Sequence, residues 1–136
     1  MAPTFRVLLV DGDERTGRVL ALMLREDGFD VEVATSASDA MRRLVQANHD
    51  ALLTDLDMPH EERLALVRHV RTHDARVPVF VMTGHPELAR SMHKALDPAP
   101  RVFAKPVNYG ELSRELGAAC GATGPAGPSS RDGAGG

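Results

Sequence analysis

The chain has 136 residues, 43% hydrophobic and 26% charged, and a formal net charge of −3, which is typical of one globular domain and excludes strong attraction to nucleic acid or an anionic membrane surface. Its single cysteine, Cys120, excludes an internal disulfide, no apolar run approaches the roughly 18 residues of a membrane span, and residues 1–10 lack the layout of a secretory signal. We therefore expect a cytoplasmic protein that contacts neither nucleic acid nor a membrane directly.

Five short apolar segments rich in β-branched residues predict β-strands. In chain order they are FRVLLV (5–10), DVEVA (30–34), ALLT (51–54), PVFVM (78–82) and RVFA (101–104). Because helix-like segments lie between them, the alternation favours a doubly wound α/β fold, with five helices covering both faces of a five-stranded parallel sheet.

The segments between the strands carry the apolar spacing and the start and stop signals of helices. Apolar residues at this spacing are predicted to face the core. The signals are a stripe of Leu20, Met23 and Leu24, an end at Asp27-Gly28, a capped start at Ser36 and Asp39, a stripe of Leu64, Val67 and Val70, and a proline start at Pro86. A last helix is predicted over roughly residues 107–119.

Residues 121–136 (GATGPAGPSSRDGAGG) contain six of the chain's twelve glycines and no large apolar side chain. Such a segment cannot offset its ordering entropy by burial. We predict one domain over residues 1–120, followed by a flexible Gly/Pro/Ser-rich tail.

Polar side chains follow four of the predicted strands. In a doubly wound sheet, ligands bind outside the carboxyl ends of the strands, so these residues predict a site. A carboxylate there can act as a nucleophile towards phosphorus, Mg²⁺ can offset the charge of neighbouring carboxylates, and a lysine and a hydroxyl can bind phosphoryl oxygens. The segments are Asp11-Gly12-Asp13, Asp55-Leu56-Asp57, Thr83-Gly84 and Lys105-Pro106.

The segments VLLVDGD, LLTDLDMP, VPVFVMTG and AKPV, in this order and spacing, resemble the motifs of response-regulator receiver domains of two-component phosphorelays, over residues 5 to about 119. The resemblance implies the flavodoxin-like strand order 2-1-3-4-5. It further implies that Asp55 is the phosphoacceptor, Thr83 is the switch hydroxyl and Lys105 binds the phosphoryl group. The Lys105-Pro106 bond is cis in this family.

The resemblance also implies a Mg²⁺ site formed by Asp11, Asp55 and the backbone carbonyl of Asp57. Gly12 stands where the family has a second acidic residue that touches the metal. We therefore expect weak Mg²⁺ binding and slow phosphorylation, unless Asp13 swings in or Asp11 moves to direct contact.

Other positions depart from the family pattern. A His60-Glu61-Glu62-Arg63 segment replaces a glycine-containing turn, so either Arg63 adopts a left-handed backbone or the loop differs. Val102 replaces an aromatic residue that follows the threonine inward in many receivers. Asp57 and His85 occupy positions that tune the access of the hydrolytic water, or else simply face solvent. His69 and His73 are interpreted as a solvated helix face.

The sequence leaves three functions open. The first is a receiver that accepts phosphate from a histidine kinase or phosphotransfer protein and signals by contact with a partner or a second copy, through the fourth predicted helix, the fifth strand and the fifth helix. Any catalysis is then on itself. The second is a degenerate receiver that acts without phosphorylation. The third is a small phosphohydrolase, because Asp55-Leu56-Asp57 mimics the Asp-x-Asp motif of haloacid-dehalogenase-type enzymes.

Overall fold

A computed structural model describes residues 4–73, 76–90 and 99–123. Its five strands form one parallel sheet in the order β2-β1-β3-β4-β5, which confirms the predicted strand number, direction and order. The strands are β1 (Arg6–Val10), β2 (Asp30–Ala34), β3 (Ala51–Asp55), β4 (Val79–Thr83) and β5 (Arg101–Ala104).

The described residues form four α-helices and one short 3₁₀ helix, which Pro86 begins as predicted. The remainder of the fourth predicted helix falls on residues 91–98, outside the described part. The helices are α1 (Glu14–Glu26), α2 (Ala37–Gln46), α3 (His60–His73), the 3₁₀ helix (Pro86–Leu88) and α4 (Tyr109–Thr123), the fifth helix of the prediction.

Helix α4 differs from its predicted bounds at both ends. It starts at Tyr109 because the Asn108 side chain accepts a hydrogen bond from the backbone N–H of Glu111 at 2.9 Å, as an N-cap does. It continues to Thr123, past the predicted start of the tail at residue 121. Residues 124–136 lie outside the described residues.

Two other helix signals in the sequence are confirmed. The Ser36 hydroxyl accepts the backbone N–H of Asp39 at 3.1 Å and caps α2. After α1, Gly28 takes a left-handed backbone with φ of 98°, a conformation that costs glycine little.

The core has two layers, one on each face of the sheet. Helices α2 and α3 cover one face, and α1 and α4 cover the other. Strands β3 and β4 are buried at every residue, as expected for inner strands with both faces covered. None of the helices among the described residues is long and apolar enough to cross a membrane.

The predicted core stripe of α1 is partly wrong. Leu24 is fully buried, but 37% of Met23 is exposed. The face of α1 that meets the sheet instead contains Gly17 and Ala21, whose small size lets the helix approach closely. A Cβ at position 17 would lie 3.2 Å from the Cβ of Asp11, so this contact positions α1 beside the end of β1.

Candidate functional site

The strand register brings the predicted site residues to one edge of the sheet. Val10 pairs with Thr54, so Asp11 and Asp55 follow at neighbouring positions. Thr83 pairs with Ala104, and the backbone N–H of Lys105 donates to the Thr83 carbonyl at 2.8 Å. The Lys105-Pro106 peptide bond is cis, as expected from the family pattern.

The Lys105 ammonium bridges two carboxylates. Its Nζ lies 2.9 Å from Asp55 Oδ1 and 3.0 Å from Asp57 Oδ2. Burial alone would lower the pKa of Lys105, but the hydrogen bonds and charges of these two aspartates outweigh burial and raise it. Asp55 is 7% exposed, so its carboxylate lies at the bottom of the site with the ammonium against it.

The Asp57 side chain is directed into the site. Thr83 donates its hydroxyl hydrogen to Asp57 Oδ1 at 3.3 Å, and the backbone N–H of Gly84 also hydrogen-bonds to this carboxylate. Burial would raise the pKa of Asp57, but the bonds from Lys105, Gly84 and Thr83 outweigh burial and lower it. Lys105 and Thr83 therefore both donate hydrogen bonds to the Asp57 carboxylate.

Asp11, unlike Asp57, has a raised pKa despite the nearby charge of Lys105. It is 3% exposed, and burial is the main reason that its pKa is raised, with the charge of Asp55 adding to the effect. The backbone N–H of Asp13, which donates to Asp11 Oδ1 at 2.9 Å, and the Lys105 charge offset only part of this. A cation beside Asp11 and Asp55 would relieve the remaining repulsion.

The Asp13 carboxylate is engaged elsewhere, as the N-cap of α1. It accepts the backbone N–H groups of Arg15 and Thr16 and the hydroxyl of Thr16, the last at 3.0 Å. There is space for a side chain at position 12, since a Cβ there would meet only the carbonyl oxygen of Thr35, at 3.9 Å. Among the described residues, no three His, Cys, Asp or Glu side chains are grouped closely enough to hold a metal ion.

The segment after Pro59 differs from a glycine turn because α3 begins at once, at His60. Arg63 is therefore helical, and the residue is 9% exposed. Its guanidinium donates to the carbonyl of Leu56 at 3.3 Å and to that of Met58 at 2.7 Å. Arg63 thus ties the loop after Asp55 to α3, a role that its charge alone did not indicate.

Two further departures from the family pattern have clear positions. Val102 is half-buried and packs against the core cluster on the α2 and α3 side of the sheet. The His85 side chain is 66% exposed and lies 3.7 Å from Glu87, while its backbone N–H donates to the Thr83 hydroxyl at 2.9 Å. At position 85 the backbone, not the imidazole, contacts the site.

The burial of His49 beside His69 and His73 was not predicted from the sequence. The His49 side chain is 1% exposed, and its Nε2 is hydrogen-bonded to Glu32 Oε1 at 2.7 Å. His49, His69 and His73 line one small cavity of about 90 Å³. Burial lowers the pKa of His69, with the nearby His73 adding to the effect, so the predicted solvated face is only partly solvated.

Comparison with known proteins identifies the family. Residues 7–116 match the family model of the response regulator receiver domain. The chain belongs to this family. Receiver domains are signalling domains of two-component systems and are phosphorylated on an aspartate, and they interact with histidine kinases and downstream effectors. Because the chain is a receiver domain, the Asp55-Leu56-Asp57 segment is not the Asp-x-Asp motif of a haloacid-dehalogenase-type enzyme.

The curated relatives include longer regulators. The chain is 26% identical over 108 residues to the regulatory protein AtoC of Escherichia coli (strain K12), covering 79% of this chain and 23% of that protein. It is 28% identical over 111 residues to the transcriptional regulatory protein TrcR of Mycobacterium tuberculosis, covering 82% of this chain and 43% of that protein. The chain therefore spans less than half the length of these two relatives.

Solved structures share the fold. A CheY-like receiver domain protein from Methanospirillum hungatei JF-1 has a TM-score of 0.78 at 22% identity, covering 87% of this chain and 94% of that one. The response regulator protein TrrA from Thermotoga maritima, solved in complex with Mg²⁺-BeF, has a TM-score of 0.74 at 21% identity, covering 85% of this chain and 98% of that one.

Proposed function

We propose that this receiver is a phosphorylatable switch in which Asp55 accepts the phosphoryl group. The observation that carries the proposal is the 2.9 Å contact between Lys105 Nζ and Asp55 Oδ1 at the carboxyl edge of the sheet. A fixed ammonium beside the nucleophile stabilises the charge on phosphoryl oxygens during transfer. The Thr83 hydroxyl, one strand away, is the second proposed donor to those oxygens.

The proposed reaction transfers a phosphoryl group from a phosphohistidine of a histidine kinase or phosphotransfer protein. An oxygen of Asp55 attacks the phosphorus atom, and the bond between phosphorus and the donor imidazole nitrogen breaks. The electron pair stays on that nitrogen, which takes up a proton from solvent. Hydrolysis of the acyl phosphate by water later restores the Asp55 carboxylate and releases inorganic phosphate.

Asp11, Asp55 and the backbone carbonyl of Asp57 are the proposed Mg²⁺ ligands. When bound, Mg²⁺ supplies positive charge beside the transferred group. Two features support this assignment: the donor set consists of oxygens, which Mg²⁺ prefers, and the raised pKa of Asp11 marks a place where a cation is favoured. The Mg²⁺-BeF complex of the similar TrrA structure adds support. Because Gly12 supplies no carboxylate, we expect weak binding.

The proposed output is contact with a partner protein or a second copy of the chain. The described residues of the 3₁₀ helix, the edge strand β5 and α4 line one cavity, and an ion pair between Arg101 and Glu115, 2.7 Å apart, joins β5 to α4 there. Val102, in the middle of β5, connects this cavity to the core.

A second candidate function is a receiver that binds partners without being phosphorylated. Two features favour this alternative. Gly12 supplies no carboxylate to a metal ion, and Asp57 accepts hydrogen bonds from both Lys105 and Thr83. Phosphorylation itself separates the two functions.

The test is intact-mass spectrometry after incubation with Mg²⁺ and a small acyl phosphate. We expect the wild type to gain ~80 Da, one phosphoryl group. Asp55→Asn should gain nothing, and Asp30→Asn, an exposed aspartate at the start of β2, should behave like the wild type. No gain in the wild type, even with a cognate histidine kinase, would favour the second function.

A further inference from the structure

The Asp57 carboxylate accepts hydrogen bonds from Lys105 and Thr83, the donors that a phosphoryl group on Asp55 would need. Both of its oxygens are engaged: Oδ2 accepts from Lys105 at 3.0 Å, and Oδ1 accepts from the Thr83 hydroxyl at 3.3 Å. The backbone N–H of Gly84 also bonds to this carboxylate. An ammonium, a hydroxyl and a backbone N–H around one anion form an anion-binding site of the kind that accepts phosphoryl oxygens.

The hydroxyl of Thr83 is fixed by these contacts. Thr83 is fully buried, its hydroxyl hydrogen is directed at Asp57, and its oxygen accepts the backbone N–H of His85 at 2.9 Å. With both the donor and an acceptor lone pair of Thr83 engaged, the side chain is held towards the site before any phosphoryl group arrives.

We infer that Asp57 is a built-in substitute for the phosphoryl group, which holds Thr83 and Lys105 in the arrangement of the phosphorylated state and must be displaced before Asp55 is phosphorylated. The inference rests on the proposed function. It adds that Asp57 competes with the phosphoryl group for Lys105 and Thr83 and holds both residues in place beforehand. A phosphoryl group carries nearly two negative charges, so it and the Asp57 carboxylate cannot share the same donors. The side chain of Asp57 is 35% exposed, which gives it a route out of the site.

Two substitutions separate the charge of Asp57 from its hydrogen bonds. Asp57→Asn keeps the size and one acceptor for Thr83 but removes the charge that Lys105 neutralises. Asp57→Ala removes every side-chain contact. Neither touches the backbone carbonyl that is the proposed Mg²⁺ ligand. Glu61→Gln is the matched control, because Glu61 is an exposed carboxylate in the first turn of α3 and carries the same charge.

The first measurement is the initial rate of mass gain with Mg²⁺ and a small acyl phosphate. We expect Asp57→Asn to be phosphorylated roughly tenfold faster than the wild type, a coupling within the usual range for two competing ligands. Glu61→Gln should match the wild type, which excludes a general effect of net charge. Equal rates for the wild type and Asp57→Asn would overturn the inference and leave the proposed function standing.

The second measurement is NMR of the unphosphorylated proteins, and it needs no phosphorylation. We expect the Gly84 amide and the Thr83 methyl signals to move in Asp57→Ala and to stay in place in Glu61→Gln. Unmoved signals in Asp57→Ala would overturn the inference. If no variant gains mass but these signals move, the proposed function fails while the hold of Asp57 on Thr83 stands.

Discussion

At the scale of single residues, the site places three carboxylates around the Lys105 ammonium. Asp55 and Asp57 bind it directly, whereas Asp11 is buried and has a raised pKa. A receiver with a second acidic residue at position 12 would hold a cation more firmly. Gly12 is therefore the reason that the proposed Mg²⁺ site is expected to be weak.

We predict that Gly12→Asp strengthens Mg²⁺ binding by roughly tenfold, or about 1.4 kcal/mol. The substitution is sterically open, since the new Cβ would have its nearest neighbour 3.9 Å away. Isothermal titration of the metal-free protein with Mg²⁺ measures the effect. Asn48→Asp, which adds the same charge at an exposed residue between α2 and β3, is the control, and an unchanged affinity in Gly12→Asp would contradict the prediction.

At this scale the sequence predicted some contacts and missed others. The proximity of Asp55 and Lys105 follows from strand order, because parallel strands end at one edge of the sheet. The direction of the Asp57 side chain and the capping role of Asp13 depend on rotamers and on local donors, which no periodic pattern encodes. The burial of His49 was not predicted, because its hydrogen-bond partner, Glu32, lies 17 residues away in the sequence.

At the scale of elements, Arg63 joins α3 to the loop that carries Asp57. Its guanidinium donates to two backbone carbonyls, the buried one of Leu56 and the part-buried one of Met58, which a glycine turn would arrange differently. The first turn of α3 closes on the carbonyl of Pro59, with Glu62 and Arg63 as donors.

We predict that Arg63→Ala lowers the free energy of unfolding by about 1–3 kcal/mol, because a buried acceptor and a part-buried acceptor lose their donor. Urea denaturation measures the loss. Arg68→Ala, an exposed arginine on the same helix, should change stability by less than about 0.5 kcal/mol. Equal stability of the two variants would show that the contacts of Arg63 contribute nothing.

A second link between elements joins the end of α1 to α4. The Tyr109 hydroxyl and the Ser113 hydroxyl each donate to Asp27 Oδ2 at 2.7 Å. Burial, and then the hydrogen bond to Asp27, raise the pKa of Tyr109 to about 12. The chain contains one tyrosine, so its ionisation can be followed alone.

We predict that Asp27→Asn lowers the pKa of Tyr109 from about 12 part of the way towards the ordinary value near 10. The contribution of burial remains, so the fall is incomplete. Absorbance of tyrosinate against pH measures it. Ser113→Ala should not lower the value, because the Ser113 contact itself lowers the Tyr109 pKa. An unchanged pKa in Asp27→Asn would contradict the assigned contact.

The elements themselves were largely predictable. Ser36 and Gly28 mark helix ends with side-chain and backbone chemistry that is local in sequence. The last helix was predicted to start near residue 107 and starts at Tyr109, because the Asn108 side chain caps it. Met23 was placed in the core because spacing does not show that Gly17 and Ala21 define the contact face of α1.

At the scale of the whole molecule, the buried charge of Asp11 opposes folding. Asp11 is buried with a raised pKa, so the folded state holds its carboxyl proton more tightly than the unfolded chain does. The stability that this proton confers is present below pH 3.8 and is lost as the pH rises through the folded pKa. At neutral pH the buried charge is therefore a cost.

We predict that Asp11→Asn raises the free energy of unfolding at neutral pH without Mg²⁺ by about 0.5–2 kcal/mol. Asparagine keeps the acceptor for the Asp13 N–H and removes the charge. Denaturation at several pH values should show the gain shrinking as the pH falls towards 3.8. Glu26→Gln, at an exposed carboxylate of α1, is the control, and a less stable Asp11→Asn protein would refute the prediction.

The central claim is that the strand ends make Asp55 the phosphoacceptor. The most direct measurement is reductive trapping: after incubation with Mg²⁺ and a small acyl phosphate, borohydride converts an aspartyl phosphate to homoserine, and peptide mass spectrometry locates it. We expect homoserine at position 55 in the wild type and at no position in Asp55→Asn. Homoserine at position 11, 13 or 57, or at none, would contradict the claim.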